Sequence, residues 1–155
     1  MNKYPSKNEF GLWLLRISRL WRREANAAVE PFGLSEATTL PILQLGRLGD
    51  GVRQTELAAA LGIEGPSLVP QLDALEKAKL VVRKPDPTDR RAKALYLTAR
   101  GRVLLEKIDP FLEQIRNNLL AEVSAEDLAT CFDVLEKIER AARELQREKA
   151  ERRRS

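Results

Sequence analysis

The chain has 155 residues, of which 43% are apolar and 32% charged, and its formal net charge is +4. This length and apolar content favour a folded domain with a packed core over a disordered chain. With no histidine and one cysteine, the chain excludes a histidine metal site, a Ser-His-Asp triad, a Cys-His dyad and a disulfide framework. No apolar run reaches the ~20 residues of a membrane span, and the first residues lack the apolar core of a signal peptide.

The first predicted helix covers 6–30, because Ser6 and Glu9 have the spacing of a capping box and Pro31 follows the end. Its apolar residues lie on more than one face, so more than one neighbour must cover it. One stripe consists of Phe10, Leu14, Ile17 and Trp21. A chain of this length has few elements to provide that cover, which indicates a second subunit.

Helical and strand patterns alternate through the middle of the chain. The predicted helices are 35–48, 54–61 and 66–77; the predicted strands are 80–82 and 94–97, with a turn at 85–89. Gly62 separates two short helices, which therefore form a helix-turn-helix. The second of these helices can enter the DNA major groove, and the two strands form a wing beside it.

Two long helices, starting near Thr98 and at Ser124, complete the predicted order. The last one has apolar residues at alternating spacings of three and four, which is typical of a coiled-coil seam, although an ordinary buried helix is the alternative. We predict a dimer interface made of Phe10, Leu14, Ile17, Leu128, Leu135, Ile138 and Leu145. The fold class is mainly α with a small β-hairpin wing: 1–34 and 108–155 form a helical dimerisation region, intertwined in one domain with a winged helix-turn-helix over 35–107.

Basic residues concentrate in the wing. Residues 83–102 contain seven basic and two acidic side chains, so this segment carries +5 while the whole chain carries +4. A basic hairpin beside a helix-turn-helix predicts binding to double-stranded DNA. The predicted DNA-binding residues are Gln54, Thr55, Pro66, Ser67, Pro70, Gln71, Arg83, Asp89, Arg90, Arg91 and Lys93.

These segments resemble the MarR family of bacterial regulators, and more particularly its SlyA-like branch. The matching stretches are 63–69, 72–76, 89–93 with its Asp-x-Arg pattern, and Leu97-Thr98. The resemblance covers about residues 8–140. It implies a triangular homodimer held by its terminal helices, which binds a palindromic operator with one winged unit per half-site. It also implies that Asp89 orients Arg91 toward the minor groove.

Three features depart from the family pattern. Pro70 replaces an expected arginine, which removes a DNA contact and predicts a bend near the start of the recognition helix. Lys79 stands where glycine is common, so either a strained left-handed cap or a different turn is expected. Thr38 and Thr39 occupy the part of the second helix where relatives that bind aromatic acids often have a histidine or an aromatic residue.

The resemblance further implies release from DNA by a small aromatic or phenolic anion. Arg16, Arg19 and Arg23 lie on one face of the first helix, where with Trp13 they can hold a carboxylate; a solvated or salt-bridged face is the alternative. The predicted ligand-binding residues are Trp13, Arg16, Arg19, Ser35 and Thr39.

The predicted function is therefore a sequence-specific transcriptional regulator, a repressor, located in the cytoplasm in association with the nucleoid. One alternative is an architectural or anti-silencing DNA-binding regulator without a dedicated ligand. A more distant one is a winged-helix protein–protein adaptor. No enzyme activity, cofactor or metal is expected, because no nucleophile–base pair or phosphate-cradling loop is visible.

Overall fold

The computed structural model describes residues 6–89 and 91–152. In chain order the elements are α1 (Lys7–Val29), α2 (Glu36–Leu48), β1 (Val52–Arg53), α3 (Gln54–Leu61), α4 (Gly65–Lys77), β2 (Val81–Pro85), β3 (Lys93–Leu97), α5 (Ala99–Leu119) and α6 (Ala125–Arg152). A short 3-10 helix over Glu30–Phe32 joins α1 to α2. The described residues thus form a mainly helical structure with a small antiparallel sheet, which confirms the predicted fold class.

The sheet has three strands in the order β1-β3-β2, all antiparallel. Strand β1 is not among the strands predicted from the sequence, because a strand of two residues has no detectable alternation of apolar and polar side chains. Strand β2 also extends beyond the predicted 80–82, since Arg83 and Lys84 pair with β3. Charged residues are compatible with a strand when the side chains can reach water.

The core lies where α2, α3 and α4 pack against the sheet and α5. The predicted inner face of α4 is confirmed, because Leu68, Leu72 and Leu75 are all buried. Other fully buried side chains come from several elements: Ile42, Leu45, Leu57, Leu95 and Ile108. This core fixes the position of α4 and leaves its opposite face in solvent.

The ends of α1 and α4 show two of the predicted local features. The Ser6 amide donates to Glu9 Oε2 at 2.8 Å, as the capping-box spacing predicts. After α4, Lys79 adopts the left-handed conformation with φ of 58°. The Lys79 amide donates to the Glu76 carbonyl and the Leu80 amide to the Leu75 carbonyl, the bonding pattern of a Schellman motif. The turn therefore keeps the left-handed cap without glycine.

Pro70 lies inside α4, which is helical without interruption from Gly65 to Lys77. Proline has no amide hydrogen, so the Pro66 carbonyl has no backbone donor four residues later. Pro66 lies in the first turn of the helix and is exposed, so water can reach its carbonyl. The helix thus accommodates the proline at a position where solvent can replace the missing hydrogen bond.

The chain forms two compact units, one ending at Arg116 and one beginning at Asn117. In the first unit α1 exposes large apolar side chains, namely Phe10, Leu12, Trp13, Leu14, Leu15, Ile17 and Leu20. In the second, none of the residues described in α6 is buried, and the exposed apolar ones include Phe132, Val134, Ile138 and Leu145. The predicted grouping of 1–34 with 108–155 stays a prediction. Among the described helices, none has both the length and the apolar character to cross a membrane.

Candidate nucleic-acid interface

The helix-turn-helix consists of α3 and α4, and the turn between them begins at Gly62. Gly62 has φ of 67°, a left-handed conformation that glycine adopts without steric cost. The next amide, of Ile63, donates to the Ala58 carbonyl at 3.1 Å, which closes the end of α3. Helix α3 covers Gln54–Leu61, as predicted.

Of the six predicted DNA-binding residues in the helix-turn-helix, four, Thr55, Pro66, Ser67 and Pro70, are exposed. Gln71 is half-buried, and its amide nitrogen donates to the Ser67 carbonyl at 3.0 Å. Gln71 is therefore bound to its own helix, while Pro66, Ser67 and Pro70 present the outer surface of α4. Gln54, at the start of α3, is partly exposed.

A buried carboxylate anchors the loop between β2 and β3, which we call the wing loop. Asp86 Oδ2 accepts a hydrogen bond from Arg53 Nε at 2.8 Å, and Oδ1 accepts from the amides of Thr88 and Asp89 at 2.7 and 3.0 Å. The Thr88 hydroxyl donates to the same carboxylate and accepts from Arg53 Nη2. The Arg53 guanidinium and these donors hold the pKa of Asp86 well below its ordinary value. The loop is thereby attached to Arg53, the last residue of β1 and the N-cap of α3.

Neither Arg53 nor Asp86 is among the predicted DNA-binding residues. They are 33 positions apart, and only the pairing of β1 with β3 brings them together. The sole sequence signal was a carboxylate between two prolines, which is equally typical of any polar turn. The contact between Arg53 and Asp86 fixes the position of the wing loop, which carries the exposed Arg91.

Arg83 lies in a second intramolecular cluster. Its Nε donates to Glu76 Oε2 at 2.8 Å, its amide donates to Glu76 Oε1 at 2.8 Å, and Nη2 also contacts Asp73. The Arg83 side chain is only 22% exposed. Although Arg83 is a predicted DNA contact, its guanidinium is occupied by two carboxylates of α4. This geometry favours a structural function, in which Arg83 joins β2 to α4.

Arg91 lies in the exposed part of the wing loop. Asp89 does contact it, but through the backbone, since Asp89 Oδ1 accepts from the Arg91 amide at 3.0 Å. The guanidinium makes no ion pair with any described residue, so it is available to a phosphate or a groove. Arg90 lies outside the described residues.

The remaining basic residues of 83–102 divide into two groups. Arg102 is paired with Asp50, whose other oxygen accepts from the Leu97 amide at 3.0 Å. The Arg102 hydrogen bond lowers the pKa of Asp50. Among the described residues of 83–102, the exposed basic residues without an ion pair are Lys84, Arg91, Lys93 and Arg100. Lys84 lies over the Tyr96 ring, 5.0 Å from its centre. The wing therefore presents several cations, Lys84, Arg91 and Lys93, that form no ion pair with a described carboxylate.

Replacing Asp86 by asparagine is expected to lower the Tm by several degrees and to weaken DNA binding about tenfold, because Arg53 loses its charged partner and the wing loop its anchor. Since the folded pKa of Asp86 lies below the unfolded value of 3.8, its stabilisation is complete above pH 5. It is lost as the pH falls below about 4. Thermal unfolding of both proteins between pH 3 and 7 measures this. Equal Tm values at pH 7 would contradict the anchoring.

A cavity of about 480 Å³ lies in the first unit, between α1, α2 and α5. Apolar atoms form most of its wall, and the large apolar side chains that line it are Trp21, Leu40, Leu43, Leu105, Leu112 and Ile115. Three arginines, Arg22, Arg47 and Arg116, also line it, and Arg116 pairs with Asp109 at 3.5 Å. The Nε atom of Arg22 is buried with no hydrogen-bond partner among the described residues. The cavity thus combines apolar walls with an unsatisfied cationic donor.

Of the five predicted ligand-binding residues, only Thr39 lines this cavity. Arg16 instead lies over the exposed Trp13 ring, 5.2 Å from its centre, and Arg19 is exposed. Ser35 is the N-cap of α2, and its carbonyl accepts from the Thr39 hydroxyl at 2.7 Å. The structure therefore does not bring the predicted set together at this cavity. Helical periodicity predicts which residues share a face but not which part of the face meets α2 and α5.

Comparison with known proteins identifies the fold. A model of the MarR family matches residues 32–92. The transcriptional regulator PA3341 is 38% identical, with 87% of this chain and 98% of that chain covered and a TM-score of 0.80. A MarR-family regulator from Rhodococcus sp. RHA1 is 25% identical, with 88% and 96% covered and a TM-score of 0.75.

The repressor CouR, solved with a 23-mer DNA duplex, is 29% identical over 88% of this chain and 99% of that chain, with a TM-score of 0.73. CouR from Rhodococcus jostii RHA1 bound to p-coumaroyl-CoA aligns at 24% identity over 83% and 90%, also with a TM-score of 0.73, and supports the fold alone. The family model matches most of the winged helix-turn-helix, and a regulator that is 38% identical aligns over nearly the whole of its length. The chain therefore belongs to the MarR family of DNA-binding transcriptional regulators.

Proposed function

We propose that the protein is a homodimeric repressor that binds a palindromic operator, with one winged unit on each half-site. The observation that carries this proposal is the wing itself. Arg53 and Asp86 fix its loop and Arg83 joins it to α4, while Lys84, Arg91 and Lys93 make no ion pair with described residues. Such a surface suits a phosphate backbone and a minor groove, with α4 in the adjacent major groove.

The dimer is supported by apolar surface that a single chain leaves in water. Phe10 is 44% exposed and Leu145 is 56% exposed. Exposed apolar patches of this kind mark interaction surfaces, and a two-fold dimer covers the same patch on both subunits. Sedimentation velocity at micromolar concentration should give a dimer. A monomer there would overturn the proposed assembly.

Enrichment of random duplex DNA by the full-length protein tests the operator proposal. A homodimer should enrich an inverted repeat whose half-sites are about one helical turn apart, ~10–10.5 base pairs centre to centre. Placed across a promoter in a reconstituted transcription reaction, that sequence should reduce transcription when the protein is added. No enriched sequence, a single half-site, or increased transcription would contradict this proposal.

We further propose that the cavity between α1, α2 and α5 binds a small aromatic or phenolic anion that releases the operator. Its apolar walls suit an aromatic ring, and Arg22 has a buried donor without a partner that an anion would satisfy. CouR, a repressor of similar fold, binds p-coumaroyl-CoA. The alternative, a regulator without a dedicated ligand, predicts that small anions leave DNA affinity unchanged.

Tryptophan fluorescence tests this cavity directly, because the chain has two tryptophans and only Trp21 lines it. In a Trp13→Phe background, a panel of hydroxybenzoates and hydroxycinnamates should change Trp21 emission and weaken operator binding. Arg22→Ala should lower the affinity for the best anion about tenfold, since a hydrogen bond to a charged group is removed. Arg19→Ala, an exposed arginine of the same helix, is the matched control. Equal effects of the two substitutions would contradict the assignment of the anion to Arg22.

A further inference from the structure

The outer face of the recognition helix α4 is unusual for a DNA-reading surface. Helical spacing places Pro66, Pro70 and Lys77 along its centre, opposite the buried leucines, with Val69 on one side. Val69 is 36% exposed. Over the first two turns of α4, the exposed residues on this face are two prolines, a valine and Ser67. The part of the helix that would enter the groove first is therefore mainly apolar.

The polar groups near this face are largely engaged within the protein. The Gln71 amide nitrogen donates to the Ser67 carbonyl, and Asp73 contacts Arg83. The commonest contact to a guanine in the major groove comes from an arginine or a lysine, and the helix has its first one at Lys77, near its end. Thymine is different, because its C5-methyl group is recognised by apolar contact.

We propose that α4 recognises thymine methyl groups, with Val69 and Pro70 as the specificity-determining residues, while the basic wing provides the phosphate and minor-groove contacts. This inference rests on the proposed operator binding and adds its chemical basis. The basic residues around the wing would hold α4 against the duplex, so that weak apolar contacts suffice to discriminate between bases. Each half-site should then contain thymines at the positions that face Val69 and Pro70.

Substitution of thymine by deoxyuridine tests the proposal, because it removes only the methyl group and keeps every base-pairing atom. The probe is the duplex enriched by the full-length protein, with each thymine of the half-site replaced in turn. Burial of one methyl group predicts a loss of about fourfold in affinity per half-site at two or more positions. Affinity that is unchanged at every thymine, in a duplex still bound tightly, would overturn the inference while leaving the operator proposal intact.

Protein variants assign the contacts. Val69→Ala should abolish the deoxyuridine penalty at one thymine and keep it at the others, and Pro70→Ala should do the same at a neighbouring thymine. Val103→Ala, an exposed valine on α5, is the matched control and should leave every penalty unchanged. Arg91→Ala should weaken binding to both duplexes equally. Penalties that persist in both α4 variants would overturn the assignment, whereas failure to bind any duplex would refute the proposed function itself.

Discussion

Arg91→Ala is expected to weaken operator binding by about 10- to 100-fold per wing, the loss that follows from removing a hydrogen-bonded charge contact. Arg91 is exposed, its amide is fixed by Asp89, and its guanidinium has no ion-pair partner among the described residues. Its position is further fixed by the Arg53–Asp86 pair that anchors the loop. The substitution removes a DNA contact without disturbing a contact inside the protein, so stability should be unchanged.

Fluorescence anisotropy with the enriched duplex at about 0.15 M salt, near physiological ionic strength, measures this effect. Arg140→Ala, which removes the same charge from an exposed position of α6, is the matched control and should alter affinity by less than about twofold. Arg91→Lys should fall between the wild type and the alanine variant, because lysine keeps the charge but not the planar fork. Wild-type affinity in Arg91→Ala would show that the loop does not contact DNA.

Gly101→Ala is expected to lower the free energy of unfolding by about 3 kcal/mol or more, since a rigid core has no room for the added methyl group. A Cβ at Gly101 would lie 2.2 Å from the Leu80 carbonyl oxygen and 3.1 Å from its carbon. The obstacle is backbone, and the same oxygen already accepts from the Thr98 amide at 3.0 Å. The first turn of α5 would have to move away from Leu80, the residue before β2, which is one strand of the wing.

Gly11→Ala, also a glycine substitution within a helix, is expected to raise the free energy of unfolding instead of lowering it. Gly11 also lies within a helix, but nothing comes within 4 Å of a Cβ built there. Alanine should therefore stabilise the protein by about 0.5–1 kcal/mol. Urea unfolding of both variants at one fixed protein concentration gives the comparison. Similar changes in the two proteins would contradict the close contact at Gly101.

The recognition unit was largely predictable because its signals are local. Gly62 marks the end of α3, and the leucines of α4 recur at helical spacing, so both helices and the buried face follow from the sequence. For the turn at Lys79 the sequence left two alternatives, a left-handed cap and a different turn, and the structure has the left-handed cap. Such features depend on residues within a few positions of one another, which is the range over which capping and periodicity act.

The contacts that position the wing were not predictable in the same way. Arg53 and Asp86 are 33 residues apart in the chain, and Arg83, a predicted DNA contact, forms hydrogen bonds with Asp73 and Glu76 in the free protein. A basic segment shows only that cations are present; the fold decides which of them are neutralised. The cavity between α1, α2 and α5 shows the same effect, because Arg22 lines it while the predicted ligand-binding residues Arg16 and Arg19 do not.

The most direct test of the central claim is the salt dependence of binding to the enriched duplex. For a protein held on DNA by its basic wing, the logarithm of the affinity should fall linearly with the logarithm of the salt concentration, with a slope of about −0.9 for each phosphate contacted. In Arg91→Ala the slope should become shallower by about one unit for each phosphate that Arg91 neutralises in the wild-type complex. Binding that is independent of salt, or equal for the enriched duplex and an unrelated one, would contradict a sequence-specific DNA-binding regulator.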